Sequence, residues 1–126
     1  MERIYRVLSQ PIVYKWATTL LAPGAESAIS SELQGLVSVL PAGEPILDVG
    51  CGPRSWLDRV GLNPVGLDTD PAYVRAYQAR GGVAVHGSAD EIPFPDGHFA
   101  GVWCVGVLHH LDDQTARRAI AEMLRV

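Results

Sequence analysis

The chain has 126 residues, the size of one domain, and its 10 basic and 14 acidic residues give a net charge of −4. With 48% hydrophobic and 19% charged residues, it is predicted to be globular rather than disordered, and its acidic balance argues against a general nucleic-acid binder. No apolar run approaches the roughly 20 residues of a membrane span, and no signal-peptide pattern is present. Cys51 and Cys104 are too few for a disulfide framework, so a cytoplasmic protein is expected.

The first third of the chain is predicted to be helical. Residues 2–21 carry apolar side chains at helical spacing, interrupted by Pro11, and residues 25–40 form a second amphipathic helix. We therefore expect an N-terminal helical cap at residues 1–42 and a second unit at residues 43–126. Three aromatic side chains of the cap either pack within it or form an apolar lid over a pocket; they are Tyr5, Tyr14 and Trp16.

Short apolar segments alternate with helices in the rest of the chain. The predicted strands cover residues 46–49, 64–68, 82–86 and 99–105. The predicted helices are a short one at 55–60, one at 71–80 capped by Thr69 or Asp70, and a last one that starts at Asp112 or Asp113. This alternation predicts βαβ units with right-handed crossovers. The expected fold is therefore α/β, a Rossmann-like, doubly wound parallel sheet.

Polar residues after three of these strands are predicted to meet at the carboxyl edge of the sheet, where ligands bind in such folds. Gly50 and Gly52 follow the first strand, and glycines there let a ligand approach the backbone. Asp68 ends the second strand, where a carboxylate can accept hydrogen bonds from a ribose diol. Ser88 and Ala89 follow the third strand. A nucleoside site is the prediction; a plain turn with a solvated aspartate is the alternative.

The glycine loop favours one class of nucleoside. A dinucleotide site has a third glycine where this chain has Ser55, and Asp48 is an unfavourable neighbour for a pyrophosphate. A ligand without phosphate, carrying an ammonium and a sulfonium group, tolerates a nearby carboxylate. S-adenosylmethionine fits that description.

Four segments, taken in chain order, then match one enzyme family. They are residues 46–53 (ILDVGCGP), 65–68 (VGLD), 87–99 (GSADEIPFPDGHF) and 105–111 (VGVLHHL). These resemble the glycine-rich motif, the ribose-binding motif, the adenine-side segment and the segment after strand four of class I S-adenosylmethionine-dependent methyltransferases. The resemblance extends from about residue 45 to 126 and is greatest to the small-molecule branch that includes ubiquinone and menaquinone biosynthesis enzymes.

The resemblance implies a role for each matching residue. Asp48 and the two loop glycines would surround the methionine part of the cofactor, and Asp68 would hold the ribose hydroxyls. Ser88 stands where many relatives carry an aspartate at the adenine amine, and the Ala89 N–H would meet the ring. The whole implied cofactor set is Asp48, Gly50, Cys51, Gly52, Asp68, Thr69, Ser88, Ala89, Cys104 and Val105. Helix capping is the better interpretation of Thr69 taken alone.

The chain also departs from the family pattern. Arg54 replaces a common third glycine, either as a surface charge or as a gate to the pocket. Relatives have seven strands, so this chain, with four in the expected order 3-2-1-4, would lack the last three. Strand four would then be an exposed apolar edge, which promotes association. We therefore expect either a shortened chain or self-association through strand four, for example as a dimer.

The implied reaction is methyl transfer to a small-molecule acceptor by in-line displacement, with S-adenosylhomocysteine as product. His109 is the preferred general base of the adjacent pair His109 and His110, although a packing or capping histidine is the commoner role. The histidines and cysteines lack metal-ligand spacing, so no metal is expected, and no nucleic-acid partner is expected. The alternatives are a non-catalytic module that binds the same cofactor and, disfavoured by Asp48, a nicotinamide-binding half-domain.

Overall fold

The computed structural model describes residues 24–38 and 43–126, which contain four strands and three α-helices. The strands are β1 Ile46–Val49, β2 Val65–Asp68, β3 Val83–His86 and β4 Gly101–Cys104. The α-helices are α1 Ala25–Val37, α2 Pro71–Ala79 and α3 Asp113–Arg125. Two 3-10 helices follow β1 and β4, at Leu57–Val60 and Leu108–His110. The helix predicted at residues 2–21, with its three aromatic side chains, lies outside the described residues.

The four strands form one parallel sheet in the order β3-β2-β1-β4, which confirms the predicted topology. Consecutive residues of a strand point to opposite faces. Leu47 of β1 therefore packs in one core cluster with Ala119 of α3, whereas Ile46 packs in another with Leu33 of α1. Helices thus cover both faces, as the predicted doubly wound sheet requires.

Two helix starts follow the predicted capping chemistry. Asp70 is the cap of α2: its carboxylate accepts the Ala72 N–H at 2.8 Å, with Pro71 at the first helical position. Asp112 caps α3, accepting the Thr115 N–H at 2.9 Å. Of the two residues predicted as alternatives before α2, Asp70 rather than Thr69 provides the cap.

Strand β4 is shorter than predicted, beginning at Gly101 instead of residue 99 and ending at Cys104 instead of residue 105. The Phe99 N–H is donated to the carbonyl of Val126, at the end of α3, and the Ala100 N–H to the carbonyl of Pro45. Phe99 is thus bonded to the end of α3 rather than to β1, and the left-handed turn at Gly106 (φ 77°) comes after the strand. Apolar composition alone could not show this difference.

One edge of the sheet has no ladder partner among the described residues. Strand β4 pairs only with β1 there, and its four residues are half-buried. The residues just beyond it include two exposed apolar side chains, Val105 and Leu108.

None of the helices in residues 24–38 and 43–126 combines the length and hydropathy that crossing a bilayer requires.

Candidate functional site

A cavity of about 360 Å³ opens at the carboxyl ends of the strands, where the topology predicted a ligand site. Its wall combines segments that come after β1, β2, β3 and β4. The lining residues are Val49, Gly50, Gly52, Leu67, Asp68, Thr69, Tyr73, Gly87, Ser88, Ala89, Gly106, Val107, His110 and Leu111. The cavity is therefore the meeting point of all four strand ends.

The glycine loop after β1 turns back tightly onto β2. The N–H groups of Gly50 and Cys51 are both donated to the carbonyl of Leu67, at 2.7 and 3.2 Å. Gly50 has a φ of 75°, and a Cβ on it would lie 2.2 Å from Cγ2 of Val107, so only glycine fits. Gly52 is also left-handed, with φ 61°, but a Cβ there would meet nothing within 4 Å. The loop is thus packed at Gly50 and open at Gly52.

Asp68 links the glycine loop to the turn before α2. One carboxylate oxygen accepts the N–H of Gly52 at 2.9 Å and the other accepts the N–H of Asp70 at 2.9 Å. A carboxylate has about four lone-pair positions, so two remain available to a ligand. Since Asp68 lines the cavity, it can accept hydrogen bonds from a diol while its geometry stays fixed by backbone donors.

Asp48 lies beneath the glycine loop rather than on the cavity wall. It is 3% exposed, and it accepts a hydrogen bond from the Ser55 hydroxyl at 2.5 Å. The same hydroxyl accepts the N–H of Leu57 at 3.0 Å, which connects β1 to the start of the 3-10 helix. Burial raises the pKa of Asp48 to about 6, with the Ser55 hydrogen bond acting in the opposite direction. Asp48 therefore braces the loop from below.

The segment after β3 forms another part of the cavity wall. The backbones of Ser88 and Glu91 form an isolated antiparallel β-bridge. The Ser88 hydroxyl donates a hydrogen bond to the carboxylate of Asp90. The second oxygen of Asp90 accepts from Arg118 of α3, at 3.0 Å from Nη2 and 3.3 Å from Nε. These hydrogen bonds lower the pKa of Asp90, Ser88 being the larger cause and Arg118 the next. The carboxylate is thus ionised and shared between the cavity wall and α3.

The loop between residue 92 and β4 is anchored by Arg125, near the end of α3. Its guanidinium donates to both carboxylate oxygens of Glu122, at 2.7 Å each, and to the carbonyls of Ile92 and Phe94. It also forms an ion pair with Asp96 at 2.9 Å. The Arg125 hydrogen bonds are the largest cause that lowers the pKa of Glu122, to about 2. One cation thereby holds the loop between the cavity wall and β4.

Six of the ten predicted cofactor residues line the cavity: Gly50, Gly52, Asp68, Thr69, Ser88 and Ala89. The other four, Asp48, Cys51, Cys104 and Val105, do not. The Cys51 side chain packs with Val74 and Tyr77 of α2, and a Cβ at Gly66 would lie 2.6 Å from its sulfur. Burial raises the pKa of both thiols, which keeps them protonated.

The histidine pair differs in its position from the expectation, whereas Arg54 agrees with one of its two predicted alternatives, the surface charge. The structure places His110, not His109, on the cavity wall, with the two ring centroids 3.9 Å apart. Both rings are exposed. Arg54 is exposed, is absent from the wall and acts electrostatically on Asp58.

Sequence reasoning missed part of the wall. Tyr73, in the first turn of α2, belongs to no predicted motif, although its position five residues after Asp68 directs it toward the strand ends. Gly106 and Val107 belong to a motif that the sequence does reveal, but the motif assigns neither of them a role. Within residues 24–38 and 43–126, no group of three or more His, Cys, Asp or Glu side chains is arranged to hold a metal ion.

Comparison with known proteins points to one family. A family model described as a methyltransferase domain matches residues 47–126. The tRNA (carboxymethyluridine(34)-5-O)-methyltransferase of Arabidopsis thaliana is 33% identical over 92 residues, covering 69% of this chain and 22% of the relative. The O-methyltransferase resE of Aspergillus sclerotiorum is 33% identical over 97 residues, covering 67% and 37%. The chain therefore spans less than half the length of these curated relatives.

A solved structure agrees with the sequence matches. The TehB-like SAM-dependent methyltransferase of Corynebacterium glutamicum superposes with a TM-score of 0.71 at 25% identity, covering 95% of this chain and 67% of that one. The likeness extends over nearly all of the present chain.

Proposed function

Since this chain belongs to the methyltransferase domain family, we propose that the protein is an S-adenosylmethionine-dependent methyltransferase that acts on a small-molecule acceptor. The observation that carries the proposal is the Asp68 carboxylate, fixed by two backbone N–H groups at the wall of a cavity that the glycine loop borders. When bound, S-adenosylmethionine supplies a methyl group activated by its sulfonium, which an acceptor displaces in line to leave S-adenosylhomocysteine.

The cavity residues fit such a cofactor. Asp68 retains lone pairs for the two ribose hydroxyls, and the open space above Gly52 admits a ligand close to the backbone. Ser88 and Ala89 are proposed to meet the adenine, and Thr69 to border the ribose. Asp48 is proposed to act on the methionine ammonium through its charge beneath the loop rather than by contact. Of the cavity set, the proposal depends most on Asp68.

Substrate-side residues are proposed at the end of β4 and in the segment after it. Cys104 and Val105 lead into the wall residue Val107, so they are proposed to border the methionine and acceptor side. A phenol or alcohol acceptor would need a general base, and the histidine pair is proposed to provide it. The sequence favours His109, but the position of His110 on the cavity wall makes His110 the stronger candidate. Comparing His109→Gln with His110→Gln at saturating acceptor separates the two: a rate loss confined to one variant identifies the base.

A small-molecule acceptor is favoured over a nucleic acid by charge. The chain has a net charge of −4, so its overall charge would not attract the negatively charged phosphodiester backbone of a nucleic acid. The tRNA methyltransferase among the relatives makes the alternative worth a direct measurement. Incubating the 126-residue chain with methyl-labelled S-adenosylmethionine and either total tRNA or a panel of phenols and alcohols tests the point. Label in the small-molecule panel is expected, whereas label in tRNA alone would overturn this part of the proposal.

Cofactor identity is tested by titration calorimetry on the 126-residue chain. S-adenosylmethionine and S-adenosylhomocysteine are expected to bind, and NAD is not. Binding of NAD without either sulfur ligand would contradict the proposal. Binding of both sulfur ligands, with no label passed to any acceptor, would instead support a non-catalytic module.

Three wider features are also proposals. Residues 1–42 are proposed to form a cap beside the catalytic unit at residues 43–126. A second chain is proposed to cover the edge of β4 that has no strand partner among residues 24–38 and 43–126, giving a dimer, because unpaired strand edges associate. Light scattering that finds only monomer across a wide concentration range would contradict that arrangement. The two unbridged cysteines favour a cytoplasmic location.

A further inference from the structure

A chain of hydrogen bonds runs from the cavity wall to the surface of α3. The Ser88 hydroxyl donates to one oxygen of Asp90, and Arg118 donates to the other. Arg118 also donates to the Thr115 hydroxyl at 3.3 Å, which further restrains the guanidinium on its own helix. Ser88 lines the cavity, whereas Asp90 and Arg118 do not.

The donor and acceptor groups of these hydrogen bonds allow only one arrangement of the protons. An ionised carboxylate only accepts hydrogen bonds, and a guanidinium only donates them. A serine hydroxyl has a single proton, and here that proton is committed to Asp90. The lone pairs of Ser88 are therefore what its oxygen can offer to the cavity. Ser88 is an acceptor toward a ligand, although a free serine could equally donate.

We propose that Asp90 and Arg118 are positioning residues that make Ser88 an obligate acceptor, so that the cavity selects an adenine, with its exocyclic amine, over a 6-oxopurine. The inference rests on the proposed function, because it concerns the base of the same cofactor. An amine donates to Ser88, whereas a carbonyl in its place would bring two acceptors together. The selection is thus made by residues that touch no part of the ligand.

The carboxylate of Asp90 therefore acts on the cavity only through the hydroxyl of Ser88, two residues earlier in the chain. Arg118 lies 28 residues from Asp90 in the chain, so only the packing of α3 beside this loop completes the chain of hydrogen bonds. A surface ion pair without this role would affect stability but not the choice of base.

The test compares affinities for S-adenosylhomocysteine and its 6-oxo analogue, S-inosylhomocysteine, by titration calorimetry on the 126-residue chain. The unaltered chain is expected to prefer the amine by on the order of tenfold or more, since one hydrogen bond to a charged network is gained and one repulsion avoided. Asp90→Asn is the sharpest variant because it keeps the shape of the side chain. Arg118 would hold the amide oxygen, turning the amide NH₂ toward Ser88 and forcing the hydroxyl to donate into the cavity. The preference is then expected to disappear or reverse.

Two further variants and one control make the result decisive. Asp90→Ala frees the hydroxyl and should lower the preference severalfold. Adding Ser88→Asp to Asp90→Ala places a carboxylate directly at the wall and should restore the preference. Asp96→Ala removes another carboxylate of the same loop, one that pairs with Arg125 away from the cavity, and should leave the ratio unchanged.

The outcomes distinguish a failure of the positioning role of Asp90 from a failure of the proposed function. If the unaltered chain binds neither ligand, the proposed function fails and the inference fails with it. If S-adenosylhomocysteine binds but Asp90→Asn and Asp90→Ala keep the ratio of the two dissociation constants, Asp90 is merely structural and the inference alone is overturned. A parallel loss of both affinities at constant ratio has the same meaning.

Discussion

The carboxylate of Asp68 accepts the backbone N–H of Gly52 at 2.9 Å, so the residue that ends β2 also holds the glycine loop after β1. The proposed ribose-binding residue and the glycine loop are thus one hydrogen-bonded unit. Any change at Asp68 should alter both the ligand contact and the shape of the loop.

Asp68→Asn is expected to weaken binding of S-adenosylhomocysteine by at least about tenfold. The amide keeps one acceptor oxygen, so it cannot receive both backbone N–H groups and two ribose hydroxyls, and charged hydrogen bonds contribute roughly 1.5–3 kcal/mol each. Titration calorimetry measures the loss. Asp113→Asn, an exposed carboxylate in the first turn of α3, is the matched control and should bind normally. Equal affinity in the two variants would show that the ribose assignment is wrong.

Gly50→Ala should destabilise the fold and abolish tight cofactor binding. A left-handed backbone costs a non-glycine residue about 1–2 kcal/mol, and the new Cβ would lie 2.2 Å from Cγ2 of Val107. Denaturant unfolding should show a loss of on the order of 2 kcal/mol or more.

The control for Gly50 is a glycine in a different environment. Gly35 lies inside α1, where a Cβ would meet nothing within 4 Å, so Gly35→Ala should be neutral or stabilise by up to about 1 kcal/mol. Combining Gly50→Ala with Val107→Ala should recover part of the loss, because it removes the clash but not the strained φ. A fully stable Gly50→Ala chain would contradict the loop geometry.

Asp48 should make the protein less stable as pH rises. Its pKa in the folded chain is about 6, above its ordinary 3.8, so the folded state holds the proton more tightly than the unfolded state does. This penalty is absent below about pH 4, grows through the window between the two pKa values and is complete above pH 6. Between pH 4.5 and 7.5 it amounts to about 2 kcal/mol.

Asp48→Asn removes that penalty while keeping an oxygen for the Ser55 hydroxyl. The free energy of unfolding of the variant, minus that of the unaltered chain, is therefore expected to be about 2 kcal/mol larger at pH 7.5 than at pH 4.5. Urea unfolding of both proteins at each pH measures this difference in the free energy of unfolding. Asp113→Asn should follow the unaltered chain at each pH. A pH-independent difference between Asp48→Asn and the unaltered chain would mean that burial does not raise this pKa.

Arg125→Lys should loosen the loop before β4 without unfolding the sheet. Lysine is a single point charge and cannot pair with both oxygens of Glu122 while also reaching the carbonyls of Ile92 and Phe94. Hydrogen exchange at the amides of residues 92–99 is expected to accelerate by on the order of tenfold. Arg117→Lys, an exposed neighbour on α3, should leave those rates unchanged. Equal exchange in both variants would rule out the anchoring role.

Much of the fold could be predicted from local patterns. The four strands, the order β3-β2-β1-β4 and the caps at Asp70 and Asp112 follow from short apolar runs, turn residues and the handedness of crossovers. The glycine loop and Asp68 were predictable for the same reason, because a βα turn brings its residues to a known edge of the sheet. The start of β4 was not, since the hydrogen bond from the Phe99 N–H to the end of α3 joins residues far apart in the chain.

Local sequence patterns predict which segments meet at the cavity, whereas the packing of the folded chain fixes which side chains face it. Asp48 and Val49 are adjacent, yet only Val49 lines the cavity, because consecutive strand residues point to opposite faces. His110 is on the wall and His109 is not, because the short 3-10 helix after β4 sets their directions. The contact of Asp90 with Arg118 joins residues 28 positions apart. Such contacts depend on how α3 packs on the sheet, and local sequence carries no direct signal of that packing.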